Sequence, residues 1–404
     1  MVLNFLLQHK DDDVRSLAFA KMPEGVNRTW ALRQIEGYQL AKKKLPRWAT
    51  LFEQGADICF PPRLSMEQCS SEATAKYKAR IVQTSNLKPQ ISNLIDFTGG
   101  FGVDFSYMAQ GFEHAMYVEQ NPELCEIAKH NFEVFGLDNV EIVNASCEET
   151  LAKLSTDSKK RVIYLDPARR DSVGNKVFSI EDCTPNLAAI QDSLISKADL
   201  VIVKLSPMLD ITQALRTLHH VSEVHVVSVR GECKELVFVI GEDTSPKIFC
   251  VNLGADEDEF VGSVTSYQSP ITSSLNKSSF SNLKPQIFLF EPNASIMKAG
   301  VQDAFGIKYG LQKLHPNSNL FVGTKPIDRI PARQFRIVGV SDFSKASLKL
   351  LLKDIDKANL AIRNFPSDVT TLRKRLKVKE GGNDYLFATT LFDDTHALIR
   401  CVKV

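Results

Sequence analysis

Long apolar runs are missing from this chain of 404 residues. The longest, near residues 200–203 and 236–240, break well before the ~18 uninterrupted residues that a spanning helix needs, so no membrane span is expected. A basic leader is missing too: the apolar run at 2–7 leads straight into His9, Lys10 and the triplet Asp11, Asp12 and Asp13, which does not read as a secretory signal. The eight cysteines include no Cys-x-x-Cys pair and no histidine partner at zinc-ligand spacing. Neither a disulfide framework nor a metal site is therefore expected, and the plain reading is a reduced, cytoplasmic compartment.

An excess of one charge is also lacking overall, since the formal net charge is +1. The distribution is nevertheless uneven. From residue 284 onward there are 20 Lys and Arg against 11 Asp and Glu, whereas residues 1–283 hold 29 against 37. An acidic body thus carries a basic tail, the pattern of a chain whose partner bears phosphates. With 44% hydrophobic residues there is ample material for buried cores, and the length suits two or three domains.

Residues 1–85 read as helical. Acidic residues open a helix over 11–20, and Trp30, Ile35, Tyr38 and Leu45 keep helical spacing over 28–44 until Pro46. Ser70, Ser71 and Glu72 cap a third helix carrying Ala73, Ala75, Tyr77, Ala79 and Val82.

Over 86–262 the pattern changes to short apolar strands alternating with helices. Strands are expected at 94–97, 115–119, 140–144, 162–166, 200–205, 224–229 and 236–241, a mostly parallel, doubly wound, Rossmann-like α/β sheet. The last two are joined by residues 230–235 alone, too few for a crossover helix, so they should be antiparallel. A hairpin follows over 247–262, then a Ser-rich linker over 263–283. Two small α+β units complete the chain, 284–330, with a helical stretch over 294–305, and 331–404, with a long helix over 345–364, a helix over 369–377 and a final hairpin.

The strongest chemical signal is Asp96-Phe97-Thr98-Gly99-Gly100-Phe101-Gly102-Val103-Asp104, where an apolar strand runs into a glycine-rich turn ahead of a helix. Missing side chains let backbone approach a ligand there, and helix amides point at it. The next strand ends in Glu119, whose carboxylate can accept both hydroxyls of a ribose. A nicotinamide enzyme would place an acid there as well.

Two further segments discriminate, Asn144-Ala145-Ser146 after the third strand and Asp166-Pro167-Ala168-Arg169-Arg170 after the fourth. In this order the segments resemble the first four motifs of class I S-adenosylmethionine-dependent methyltransferases. The resemblance implies that Asp96, Thr98, Gly99, Gly100 and Gly102 hold the amino-acid end of the cofactor. It also implies that Glu119 holds the ribose and that Asn144, Ala145 and Ser146 lie near the adenine. A dinucleotide enzyme or an inactive relative remains the alternative.

In methyltransferases that modify exocyclic amines the fourth motif looks like Asp/Asn-Pro-Pro-aromatic. Its polar side chain and backbone carbonyl accept hydrogen bonds from the amine and aim the nitrogen lone pair at the methyl group. Asp166 and Pro167 match that motif, the aromatic is missing, and Arg169 or Arg170 would stack on a base or hold phosphate instead. The segment around Ser70 is similar to the stretch preceding this core in RNA cap guanine-N2 methyltransferases. No cysteine stands in the fifth-strand segment Lys204-Leu205-Ser206-Pro207, which argues against covalent attack on a pyrimidine, while Lys204 and Ser206 become candidate substrate contacts.

Over nearly its whole length the chain resembles bacterial methyltransferases with a THUMP-like carboxy-terminal domain. The residues 64–72, 96–104 and 166–170, Phe290-Glu291-Pro292-Asn293-Ala294-Ser295, and the last 70 or so carry the likeness. It implies a ferredoxin-like insert near 284–330 and a tail similar to domains that bind structured RNA. Arg373, Lys374, Arg375, Lys377 and Lys379 crowd one helix end there, suited to phosphates, with few aromatics beside them in sequence. The expected activity is methylation of a base nitrogen of RNA, tRNA or rRNA, without a metal. A protein or small-molecule acceptor, or an inactive RNA-binding protein, are the rival readings.

Overall fold

The computed structural model describes residues 2–84, 92–156, 161–168, 180–241, 245–254, 257–263 and 287–404. Residues 1–224 and 235–244 form one compact unit, and residues 225–234 and 245–404 form a second.

The first unit opens with six helices: α1 (Val2–His9), α2 (Val14–Leu17), α3 (Arg28–Lys44), α4 (Pro46–Glu53), α5 (Arg63–Gln68) and α6 (Glu72–Thr84). Asp13 and Asn27 cap α2 and α3 by accepting the amides of Ser16 and Trp30. The helix expected over 11–20 is only the short α2, because this cap starts it late, and the apolar run at 2–7 is helix α1. Pro46 both ends α3 and begins α4, since a helix's first position needs no backbone donor. The buried face of α3, with Ile35, Tyr38 and Ala41 fully covered, is the stripe seen in the sequence.

The sheet of this unit follows: β1 (Asn93–Asp96), α7 (Val103–Met108), β2 (His114–Glu119), α8 (Pro122–Val134), β3 (Val140–Asn144), α9 (Cys147–Lys153), β4 (Arg161–Leu165), α10 (Leu187–Lys197), β5 (Leu200–Leu205), α11 (Ile211–Thr217), β6 (Val221–Val229) and β7 (Glu232–Ile240). Within the nine-stranded sheet to which these strands belong, their order is β3-β2-β1-β4-β5-β7-β6. Pairs from β3 to β5 are parallel, and β7 runs antiparallel to β5. Leu200 to Val203 are all buried, as a parallel strand covered on both faces requires. Arg230 and Gly231, both at positive φ, make the two-residue turn between β6 and β7, the backbone that a right-twisted hairpin prefers. Order reverses between β1 and β4, and in such sheets the crevice beyond the carboxyl ends of these strands is the place for a ligand.

The second unit contains β8 (Lys247–Leu253), β9 (Asp258–Ser263), β10 (Phe288–Pro292), α12 (Ala294–Ala299), α13 (Gln302–Lys308), β11 (Gln312–Lys313), β12 (Phe321–Gly323), β13 (Ala332–Ser341), α14 (Lys345–Leu351), β14 (Asn359–Arg363), α15 (Val369–Leu376), β15 (Asp384–Thr390) and β16 (His396–Lys403). Its larger sheet has the order β11-β12-β10-β13-β16-β15-β14. Strand β10, from the segment expected to form one small unit, pairs antiparallel with β13 from the next, so both share one sheet. Leu289, Leu320, Phe335, Phe387 and Ile399 from both segments share one core.

Two expectations are corrected here. The long helix over 345–364 ends at Leu351, and Asn359–Arg363 is a strand instead, drawn into parallel pairing with β15. The helical stretch over 294–305 is two helices parted at Gly300. Apart from Ser263, the Ser-rich linker lies outside the described residues. No helix among the described residues is long and apolar enough to cross a membrane.

Candidate active site

A cavity of about 590 Å³ opens at the carboxyl ends of β1, β2 and β4 in the first unit, within the size range of small-molecule sites. Its lining brings together Asp96, Thr98, Gly99, Gly100, Gly102, Glu119, Ala145, Ser146, Asp166, Pro167 and Lys204 from segments far apart in the chain.

The glycine turn is shaped by what cannot be there. A Cβ on Gly99 would lie 2.2 Å from the Tyr117 ring, and Gly102 caps α7 with φ 81°, a left-handed backbone that side chains disfavour. Tyr117 in turn donates its hydroxyl to the Gly100 carbonyl. Glu119 is pinned from two sides: Oε2 accepts the Gly100 amide at 2.9 Å and Oε1 the Asn121 amide at 2.8 Å. A cradle open to backbone and a fixed carboxylate at its rim suit a ligand with a diol.

Asp96 is almost completely buried, and its Oδ1 accepts both the amide (2.9 Å) and the hydroxyl (3.3 Å) of Thr98. Burial drives its carboxyl well above the usual range, with the Thr98 bonds opposing and the Asp104 and Asp166 charges reinforcing. The Thr98 oxygen also accepts the Asp166 amide at 2.6 Å, which ties the end of β4 to the end of β1. Lys204 donates to Asp166 Oδ2 at 2.7 Å, with both side chains partly open to solvent.

Beside this site lies a cluster that the sequence reading missed. Lys78 on α6 is completely buried and donates to Ser70 Oγ (3.0 Å) and to both oxygens of Glu235 (2.8 and 2.9 Å). Asp104 Oδ2 accepts the hydroxyls of Ser70 and Tyr164, each at 2.8 Å, and its Oδ1 lies 3.2 Å from the same ammonium. Burial alone would lower the Lys78 pKa, but the Asp104 and Glu235 carboxylates outweigh it and carry it up to about 12. Ser70, Asp104 and Tyr164 also line the cavity, together with Cys69, whose thiol burial pushes up to about 11. The one sequence signal was Lys78 itself, a charge on the apolar stripe of α6.

Other expected residues fall elsewhere. Asn144 is not among the lining residues; its amide donates to the Glu119 carbonyl at 2.8 Å and so braces β2. Ser146 lines the cavity and also caps α9 in a reciprocal box with Glu149. Ser206 is buried, accepts the Met208 amide at 3.1 Å and does not line the cavity, because the turn after β5 folds it inward. Arg169 and Arg170 lie outside the described residues. Arg373 and Arg375 stand on α15 of the second unit, where Arg373 donates to the Ala358 carbonyl at 3.2 Å. Among the described residues, no group of three or more His, Cys, Asp or Glu is arranged to hold a metal ion.

Residues 91–242 match the family described as RNA cap guanine-N2 methyltransferase. Residues 288–331 match a ferredoxin-like domain, and residues 332–403 a domain described as THUMP domain-like. Proteins named as uncharacterized S-adenosylmethionine-dependent methyltransferases in two strains of Mycobacterium tuberculosis are 22% identical over 328 residues, covering 78% of this chain and 80% of theirs. A crystal structure from Porphyromonas gingivalis W83, assigned as a methyltransferase, superposes with a TM-score of 0.84 at 27% identity, covering 100% of this chain and 97% of that one.

Proposed function

We propose that this chain, which is an S-adenosylmethionine-dependent methyltransferase, methylates a base nitrogen of RNA, either tRNA or rRNA. The observation that carries the reading is the placement of Asp166 and Pro167 on the cavity wall, with the Asp166 amide held by Thr98 and Oδ2 held by Lys204. A carboxylate fixed in this way has its other oxygen in a defined place to accept an N–H from an incoming amine.

The glycine turn, Glu119, Ala145 and Ser146 are the residues that would hold the cofactor, which supplies an electrophilic methyl group when bound. Asp166 and the Pro167 carbonyl would orient the nucleophilic nitrogen for in-line attack, so that positioning supplies most of the acceleration. Lys204, donating to Oδ2, holds the Asp166 side chain in place. The match of residues 332–403 to a THUMP-like domain and the basic end of α15 support RNA as the acceptor.

The test is transfer of labelled methyl from S-adenosylmethionine to total RNA from cells lacking the protein, with ribonuclease treatment of the product. Ribonuclease-sensitive label is the expected result. Cofactor binding without any transfer to RNA would point to a protein or small-molecule acceptor.

A further inference from the structure

The basic helix end in the second unit is not without aromatic company, because the fold supplies what the local sequence lacks. Phe343, after β13, and Phe365, after β14, stack with ring centroids 4.9 Å apart and planes 25° from parallel. Both are partly buried and pack on the cluster that includes Leu351, Ile355, Leu372 and Leu376, so the pair is anchored to a core. Two planar polar groups rest against them. The Arg375 guanidinium sits 5.4 Å from the Phe343 centroid, and the His396 ring lies edge-on to Phe365 at 5.1 Å. Thr390 Oγ1, 3.3 Å from His396 Nδ1, further fixes the imidazole.

Arg375 and His396 are themselves exposed, as are Lys374 and Lys377 on the same helix end. A flexible arginine on an open surface samples many rotamers, whereas one resting over a ring is held near it before any ligand arrives. Phe343 takes φ 67°, a left-handed backbone that a bulky residue disfavours, so its place against Phe365 is imposed by the fold.

We propose that Arg375 and His396, backed by Phe343 and Phe365, form a stacking site for unpaired bases of RNA, with Lys374 and Lys377 contacting the flanking phosphates. The proposal rests on the RNA reading given above and narrows it to single-stranded nucleotides. Duplex bases are already stacked and offer no free face, whereas unpaired ones can be splayed onto planar side chains. Stacking of this kind is worth about 1–3 kcal/mol per base and does not depend on sequence.

The experiment titrates the full-length protein into a single-stranded RNA oligonucleotide containing 2-aminopurine, and into a fully paired duplex of equal length, at several salt concentrations. Arg375→Lys keeps the charge and removes the plane. Wild type should quench the fluorophore on binding the single strand. Arg375→Lys and His396→Ala should each weaken that binding about 5- to 150-fold and reduce the quench, with the slope of log affinity against log salt unchanged for Arg375→Lys. Lys374→Ala should instead flatten that slope by about 0.7 and leave the quench intact. Binding of Arg375→Lys indistinguishable from wild type, or wild-type binding without any quench, would overturn the stacking site. Binding to the duplex alone would overturn it while leaving the RNA reading standing. Binding to neither RNA would remove both.

Discussion

At the scale of single residues, Asp166 and Asp96 are two carboxylates at neighbouring strand ends with different work. Asp166→Ala should lower methyl-transfer turnover by about 100-fold or more while leaving the affinity for S-adenosylhomocysteine within about twofold, as expected for a group that positions the acceptor. Calorimetric binding alongside a transfer assay separates the two effects. Asp96 sits in a place that penalises its charge. A carboxyl whose folded pKa is raised loses stability as pH climbs from its unfolded value of about 3.8 through the folded one. Asp96→Asn keeps the Oδ1 acceptor and removes that penalty, so its thermal midpoint should exceed that of wild type by an amount that grows with pH and then levels off. Paired melts between pH 4 and 8 check the sign. That Asp96, Thr98, Glu119 and Asp166 lie together was legible in sequence because Asp96 and Glu119 end strands, Asp166 directly follows one, and Thr98 stands in the turn after Asp96. That Ser206 and Asn144 do not line the cavity was not legible, since whether a side chain at or past a strand end turns to the cavity or to a neighbouring strand depends on packing that no local pattern encodes.

At the scale of elements, the glycine turn is a fit between β1, β2 and the start of α7. Gly99→Ala would drive a methyl group into the Tyr117 ring, and overpacking of that kind typically costs about 1–3 kcal/mol. Chemical denaturation should show that loss, and because Tyr117 also holds the Gly100 carbonyl, cofactor affinity should fall with it. The strands of the doubly wound sheet could be read in advance from short apolar runs of the right length and from the brief link between the last two. Helix α9 and strands β11 and β14 could not. Strand β14 follows a helix with no glycine or proline between, and its strand character comes from β15, which is encoded about 25 residues later. Where partners are distant, tertiary pairing overrides local propensity.

At the scale of the whole molecule, the buried Lys78 ties α6 to Glu235 across 157 positions of sequence. Replacing one member of such a pair strands the others, so Lys78→Met should destabilise by about 3–5 kcal/mol, more than a surface lysine would. The deficit should shrink as pH falls, because burial already raises the Glu235 carboxyl and, without Lys78 opposing, it takes up a proton more readily; denaturant titrations at two pH values would reveal it. No periodicity announces this link, because a buried ion pair needs both halves in view at once. Ending the chain at residue 331 would leave β10 without β13, so such a truncation should lose the seven-stranded sheet of the second unit, seen as a drop in far-ultraviolet circular dichroism beyond the share of the residues removed.

The β6–β7 hairpin has a consequence for how such a protein is inherited. Its tip, residues 225–234, belongs to the second unit, while residues 235–244 return to the first. The boundary therefore crosses the chain more than once. A single recombination event cannot exchange one unit for a foreign counterpart without leaving ten residues of the old unit behind or taking ten of the new one too many. The two halves are genetically interleaved, so one crossover cannot trade either unit whole.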